Sequence, residues 1–402
     1  MRFYELATCQ LLASVIPGAL AAVITSREYA PQGSSDKIAP KAVIISMFDP
    51  EAEPWFKDEE LNLDAQKIKV DGLSPLFPEI SCTENGDVCQ ITVGEGEINA
   101  ATSMTALTAS PKFDLTKTYF MVAGIAGIDP KQGTLASVNF ARYAVHTLLQ
   151  HEIDAREIPD NFDTGYVSFG TKEPGQYPSE LWGTEVFELS EALQKLAIGF
   201  AEGAELADSD KASEYRALYN SDDTANAVKG PNVQACDVAT GDTYWHGEKI
   251  GTTFAGTVKT WTNGTGKYCL TQCEDNATLE SLLRSAKAGL VDFSRIIVMR
   301  TASNFDRPHP GQSAADSLLT ASSGGFVPAC ENLYRAGIKV VNGIREGWDK
   351  QFKEGVKPAN YIGDIFGTLG GTPDFGPGPV SLQQQRKRNT ESSLRRRGVA
   401  VY

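Results

Sequence analysis

Histidine is scarce, at four residues in a chain of 402, and there is neither a Cys-x-x-Cys pair nor a His-rich cluster. A zinc centre is therefore not expected, nor is any other metal. Positive charge is also short, since 37 Lys and Arg against 51 Asp and Glu leave a net −14 at pH 7. General nucleic-acid binding needs a basic surface that displaces counterions, so that class of partner is excluded. Long apolar runs are missing too. Past the first two dozen residues none reaches the ~18–20 needed for a spanning helix, and no membrane span is expected.

What remains describes an ordinary globule, with 41% hydrophobic and 22% charged residues. The length admits two or three domains, or one large α/β domain with insertions. The opening MRFYELATCQLLASVIPGALAAV has the layout of a secretory signal, with Arg2, an apolar core from about Leu11 and an Ala19-Leu20-Ala21 cleavage site. Residues 1–21 are read as a signal peptide and 22–40 as a flexible lead-in, so the mature chain is expected to be secreted. Of seven cysteines, Cys9 falls in that signal. Cys82 and Cys89 flank Asn85-Gly86, a strong hairpin signal, and a turn there sets them opposite each other within disulfide range. Cys236, Cys269, Cys273 and Cys330 cannot be paired from sequence.

Short apolar β-branched runs alternate with amphipathic segments: Lys41–Ser46, a helix from near Pro50, Gln90–Val93, Thr118–Val122, Gly133–Phe140. The stretch from Tyr268 to Pro308 reads as strand, Cys273-Glu274-Asp275, a helix over about Ala277–Leu290 and a buried strand Arg295–Thr301 ending in Ser303-Asn304-Phe305-Asp306. This alternation predicts an α/β fold over 41–370, with a mostly parallel mixed sheet flanked by helices. Polar residues crowd the carboxyl ends of its strands, where such sheets bind ligands. Residues 371–402 lack periodicity, cluster arginine and predict a disordered basic tail.

Five pieces in order carry a resemblance: Gly94-x-Gly-x-x-Asn-Ala-Ala101, Gly124-x-Ala-Gly127, Gly241-Asp-x-Tyr-Trp245, Cys273-Glu274 and Arg300-x-x-Ser-Asn304. Together they resemble the nucleoside phosphorylase / nucleosidase superfamily, and the whole chain is most similar to the fungal purine nucleoside permeases. The resemblance implies a single phosphorylase-like α/β domain, a small-molecule nucleoside as partner and cleavage of a purine N-glycosidic bond. It implies no cofactor, although phosphate would be co-substrate for a phosphorylase. Family sites often borrow residues from a neighbouring subunit, which leaves a homo-oligomer open.

Carried across by motif, Glu274 would accept the ribose 2′ and 3′ hydroxyls, and Cys273 would form an apolar wall. Tyr244 and Trp245 would pack on the base, with Ser303 beside them. Gly94, Gly96, Gly124 and Gly127 would bring backbone close to the ligand. Asn304 stands where other members carry the acid that protonates purine N7, and Asp306, two residues on, is the candidate substitute. His246 follows the aromatic pair and is placed to bond sugar or base. Ala52, Val122 and Ile125 replace the phosphate ligands of the hexameric phosphorylases, while Glu51 and Glu53 resemble the acidic first loop of the hydrolases. Hydrolysis is thus favoured, with Glu53 as base. Phosphorolysis, with Arg142 or Arg300 as anion site, and binding without chemistry are the alternatives. The same residues also have structural readings: Glu274 as a helix-start acid, Ser303 and Asn304 as strand-end caps, Tyr244 and Trp245 as core, Glu53 as a solvated helix face.

Overall fold

The structure, a computed structural model, describes residues 37–376. The expected signal peptide, Cys9, the lead-in up to residue 36 and the basic tail beyond residue 376 lie outside the described residues.

Strand β1 (Ala42–Ser46) is buried at all five positions, as its unbroken apolar sequence requires. Helix α1 (Asp49–Phe56) follows, with a proline in its first turn where no backbone donor is lost. A hairpin places Glu79–Cys82 antiparallel to β2 (Val88–Thr92), in the register that pairs Cys82 with Cys89. Those two cysteines are disulfide-bonded at a Cα separation of 4.0 Å. Then come α2 (Glu97–Ala109), β3 (Tyr119–Ile128), β4 (Asp237–Thr240), α3 (Glu248–Trp261), β5 (Tyr268–Gln272), α4 (Asp275–Lys287), β6 (Ile296–Phe305) and α5 (Phe326–Glu346). A second disulfide joins Cys236, just before β4, to Cys269 in β5. Among the described residues no helix is long and apolar enough to cross a membrane.

The strands belong to one 13-stranded mixed sheet, with α5 packed on β6 and α2 on α4. Most central pairings are parallel: β1 with β2 and β3, β3 with β6, β4 with β5. Exceptions are β5, antiparallel to β3, and the strand Val138–Ala141, antiparallel to β6. Strand β3 organises the centre. One of its edges pairs with β6 from Phe120 to Ile128. Its other edge pairs with β1 over Tyr119–Val122 and with β5 only at Gly127 and Ile128. Between these partners, residues 123–126 of that edge have no strand beside them among the described residues. A cleft opens there, at the carboxyl ends of β1 and β6.

The segment expected to be a helix over 277–290 begins at Asp275 and ends at Lys287. The early start has a cause in side-chain capping: Gln272 Oε1 accepts from the N–H groups of Glu274 (2.6 Å) and Asp275 (2.9 Å). Gly289, at φ +74°, ends the turn that follows the helix. The buried strand expected over 295–301 runs on to Phe305, with a bulge between Ala302 and Asn304.

Candidate functional site

The cleft is a cavity of ≈ 950 Å³. Its floor is a buried cluster around Arg300, whose residue exposure is 1%. Strand β6 delivers the guanidinium from the sheet centre. Nη2 donates to Asp275 Oδ1 at 2.6 Å, Glu274 Oε2 at 3.1 Å and Gln272 Oε1 at 3.2 Å. Nη1 donates to the Ile125 carbonyl at 3.0 Å. Gly124 leaves room for this arrangement, since a Cβ there would collide with the Arg300 guanidinium and stand 2.7 Å from Met47 Sδ.

Glu51 completes the cluster from α1. Oε1 accepts from Ile125 N–H and Oε2 from Met47 N–H, both at 2.7 Å. Both main-chain groups of Ile125, on the strand edge without a neighbour, are therefore taken by side chains. Burial pushes the Glu51 carboxyl up to about 8, against the pull of Arg300 and the two backbone donors. Burial raises Asp275 as well, opposed by Arg300. Glu274 is 6% exposed and also accepts from Gly96 N–H at 3.1 Å. Oε2 is filled by Arg300 and by the Cys273 N–H at 3.3 Å, whereas Oε1 keeps a lone pair for a further hydroxyl.

Asn304 and Ser303 close the opposite wall. Ser303 Oγ donates to Asn304 Oδ1 at 2.9 Å, one Asn304 amide hydrogen goes to the Phe305 carbonyl at 3.0 Å, and the amide also bonds the Tyr244 hydroxyl. Gly127 allows this approach, because a Cβ there would lie 3.2 Å from Asn304 Nδ2. Tyr244 stands at the mouth, 60% exposed, with its hydroxyl beside the Asn304 amide. Cys273 is a free thiol in the wall, and burial with the Glu274 charge pushes it up to about 12, so it stays protonated and apolar. Several polar atoms are buried without a partner here: both His246 ring nitrogens, Gln272 Nε2, Arg300 Nε and Asp275 Oδ2.

Glu274, Asn304, Ser303, Cys273, Gly127, Tyr244 and Trp245 thus share one cavity. Other expected residues do not serve it as foreseen. Glu53 is 65% exposed and pairs with Lys57 at 3.7 Å in a separate groove. Two positions along a helix differ by about 200°, so Glu51 and Glu53 cannot face the same way. The buried face of α1 is marked by Trp55, four residues after Glu51, a signal that could have chosen between the two glutamates. Asp306 also misses the cavity. The bulge breaks the alternation, and its carboxylate accepts from Arg307 Nε (2.8 Å), Arg307 Nη2 (2.9 Å) and the Tyr268 hydroxyl (2.6 Å). Trp245 touches the cavity but is 5% exposed, edge-on to Phe254 and bonded through Nε1 to Tyr268, so it is mainly core. Gly94 and Gly96 serve the protein rather than the ligand: Gly94 accommodates Asn99, and Gly96 supplies the N–H to Glu274. Gly124 likewise makes space for Arg300. Arg142, an alternative anion ligand, is bound to Glu188 at 2.5 Å and lies outside the cavity. Among the described residues no group of three or more His, Cys, Asp or Glu is arranged to hold a metal ion.

A family model described as purine nucleoside permease matches residues 39–357. A purine nucleoside permease of Candida albicans is 45% identical over 344 residues, covering 84% of this chain and 83% of that protein. Among solved structures, futalosine hydrolase of Helicobacter pylori is 14% identical with a TM-score of 0.46, over 75% of this chain and 97% of that one. A 5′-methylthioadenosine/S-adenosylhomocysteine nucleosidase from Colwellia psychrerythraea is also 14% identical, with a TM-score of 0.44, over 77% and 96% of the two chains.

Proposed function

The chain belongs to the purine nucleoside permease family, and from that premise we propose that its cavity binds a purine nucleoside and hydrolyses the N-glycosidic bond. One observation carries this reading. Two buried glutamates, Glu51 and Glu274, lie within the field of one guanidinium in the cavity that Asn304 and the Tyr244 hydroxyl also line.

Glu274 accepts a ribose hydroxyl at Oε1, and its charge favours the cation that grows on the sugar as the bond to the base lengthens. The Asn304 N–H exchanges the exposed Tyr244 hydroxyl for purine N7 and stabilises the electron pair the base carries away. Water attacks the anomeric carbon and passes a proton to ionised Glu51, while the departing base takes a proton from solvent. Base and free ribose are the products. Water is favoured over phosphate because both terminal nitrogens of Arg300 are already bonded and three carboxyl groups surround it, so an anion entering there meets repulsion. Two disulfides fit an oxidising, extracellular compartment.

Binding without cleavage is the second reading. It draws on the relatives' description as permeases and on the placing of the Asp306 carboxylate outside the cavity, bonded to Arg307 and Tyr268. Incubating purified protein with inosine or adenosine, with and without phosphate, separates the readings. Free ribose without phosphate supports hydrolysis, ribose 1-phosphate shows phosphorolysis, and binding without base release shows a carrier.

A further inference from the structure

His246 lies in the loop between β4 and α3, its ring against the cavity, and neither ring nitrogen has a partner. A buried imidazole nitrogen normally finds a hydrogen bond, so two orphaned nitrogens on a residue that lines a cavity point to a ligand as their partner. Its flanks, by contrast, are pinned on both sides to the residue two beyond Asn304. On one side Gly247 N–H donates to the Asp306 carbonyl at 2.8 Å. On the other, Trp245 Nε1 donates to Tyr268 at 3.2 Å, whose hydroxyl donates to the Asp306 carboxylate at 2.6 Å. Asp306 is thereby a positioning residue that ties the His246 turn to the strand end carrying Asn304.

We propose that His246 reads the six-position of the bound purine and accepts a 6-oxo or a 6-amino group alike. This rests on the nucleoside reading above, in which Asn304 meets N7. The six-substituent is the next polar group along that edge of a purine, and His246 lines the same cavity as Asn304. A neutral imidazole offers one N–H and one lone pair, so a change of tautomer matches either an accepting oxygen or a donating amine. Burial and the neighbouring Arg307 lower its affinity for a proton, opposed by Asp306, and so favour this neutral form. The Asn304 amide likewise carries no fixed charge that would select one purine over the other.

The test is calorimetric titration with hypoxanthine, adenine and unsubstituted purine, bases that offer no glycosidic bond to cleave, alongside a titration and product assay with inosine. In the wild-type protein, hypoxanthine and adenine should bind within a few-fold of each other, each about tenfold tighter than purine, the scale of one buried hydrogen bond. His246→Phe should shrink that advantage to less than about twofold, and His246→Gln, which keeps a donor and an acceptor, should restore most of it. The inference is overturned if His246→Phe keeps the full advantage, or if the wild type separates hypoxanthine from adenine by about a hundredfold. If the wild type binds no base and neither binds nor cleaves inosine, the nucleoside reading falls and this inference with it.

Discussion

Two arginines seven positions apart, Arg300 and Arg307, are both buried among carboxylates, yet they do different work. Arg307 pairs with Asp306 at 2.8 Å, Glu248 at 3.1 Å and Asp129 at 3.3 Å, against the first turns of α3. Burial and Asp306 push Asp129 up to about 6, and none of these four residues lines the cavity. Around Arg300 the acids come from three separate elements, α1, the turn after β5 and the start of α4, and two of them face open space. Burial and ion pairing are common to both clusters, so neither marks a site. The distinction lies in unspent hydrogen-bonding capacity: lone pairs on Glu274 and Glu51 face a cavity, whereas the Asp306 oxygens meet only protein donors.

The largest effect expected from this contrast is at Arg307. Arg307→Met strands two buried carboxylates and should cost about 3–5 kcal/mol of stability by urea denaturation. Nucleoside affinity of the remaining folded protein should change little, and a selective loss of affinity would erase the distinction between the clusters. Next is Glu274→Ala, expected to cut turnover on inosine by a factor on the order of a hundred or more, as a group meeting developing charge is lost. A variant within a few-fold of wild type removes Glu274 from the site.

Glu51 sharpens the comparison through pH. Its carboxyl holds a proton more tightly folded than unfolded, rising from 4.5 to about 8, so its contribution to stability is complete below the lower value and lost as pH rises through the upper one. Turnover should rise over the same interval as the base ionises. Glu51→Gln should flatten the fall in the urea midpoint across that window and lower turnover about a hundredfold. An unchanged pH profile would take Glu51 out of proton transfer. The smallest effect is at Glu53: Glu53→Gln on the solvated face of α1 should shift stability by less than about 0.5 kcal/mol and leave turnover as it was. A large loss there would mean that the assignment of the two glutamates is reversed.

Much of the architecture was readable before the fold was known, because it rests on local pattern. The strands Lys41–Ser46 and Arg295–Thr301 announced themselves as unbroken apolar runs, and Asn85-Gly86 fixed the hairpin that joins Cys82 to Cys89. Motifs drew Glu274, Cys273, Ser303 and Asn304 together, and these share the cavity. The sequence was misleading wherever one residue of phase decided the outcome. The choice of Glu53 over Glu51 failed by half a helical turn, and Asp306 was misplaced by a bulge that no residue pattern announced. Gly124 has the spacing of a ligand-approach glycine, but what approaches it is the Arg300 side chain.

The chain's own order of residues, then, determined the alternating strands and helices, the hairpin disulfide and the motif residues at the strand ends, since each depends on neighbours a few positions away. Tertiary structure alone decided that Cys236 meets Cys269, that Arg300 spends its terminal nitrogens on Asp275, Glu274, Gln272 and Ile125, and that His246 is left without a partner. Those outcomes depend on where β3 exchanges β1 for β5 along one edge. That exchange brings β1 and β5, more than two hundred residues apart in sequence, to one edge of β3, and it sets which polar groups find partners and which do not.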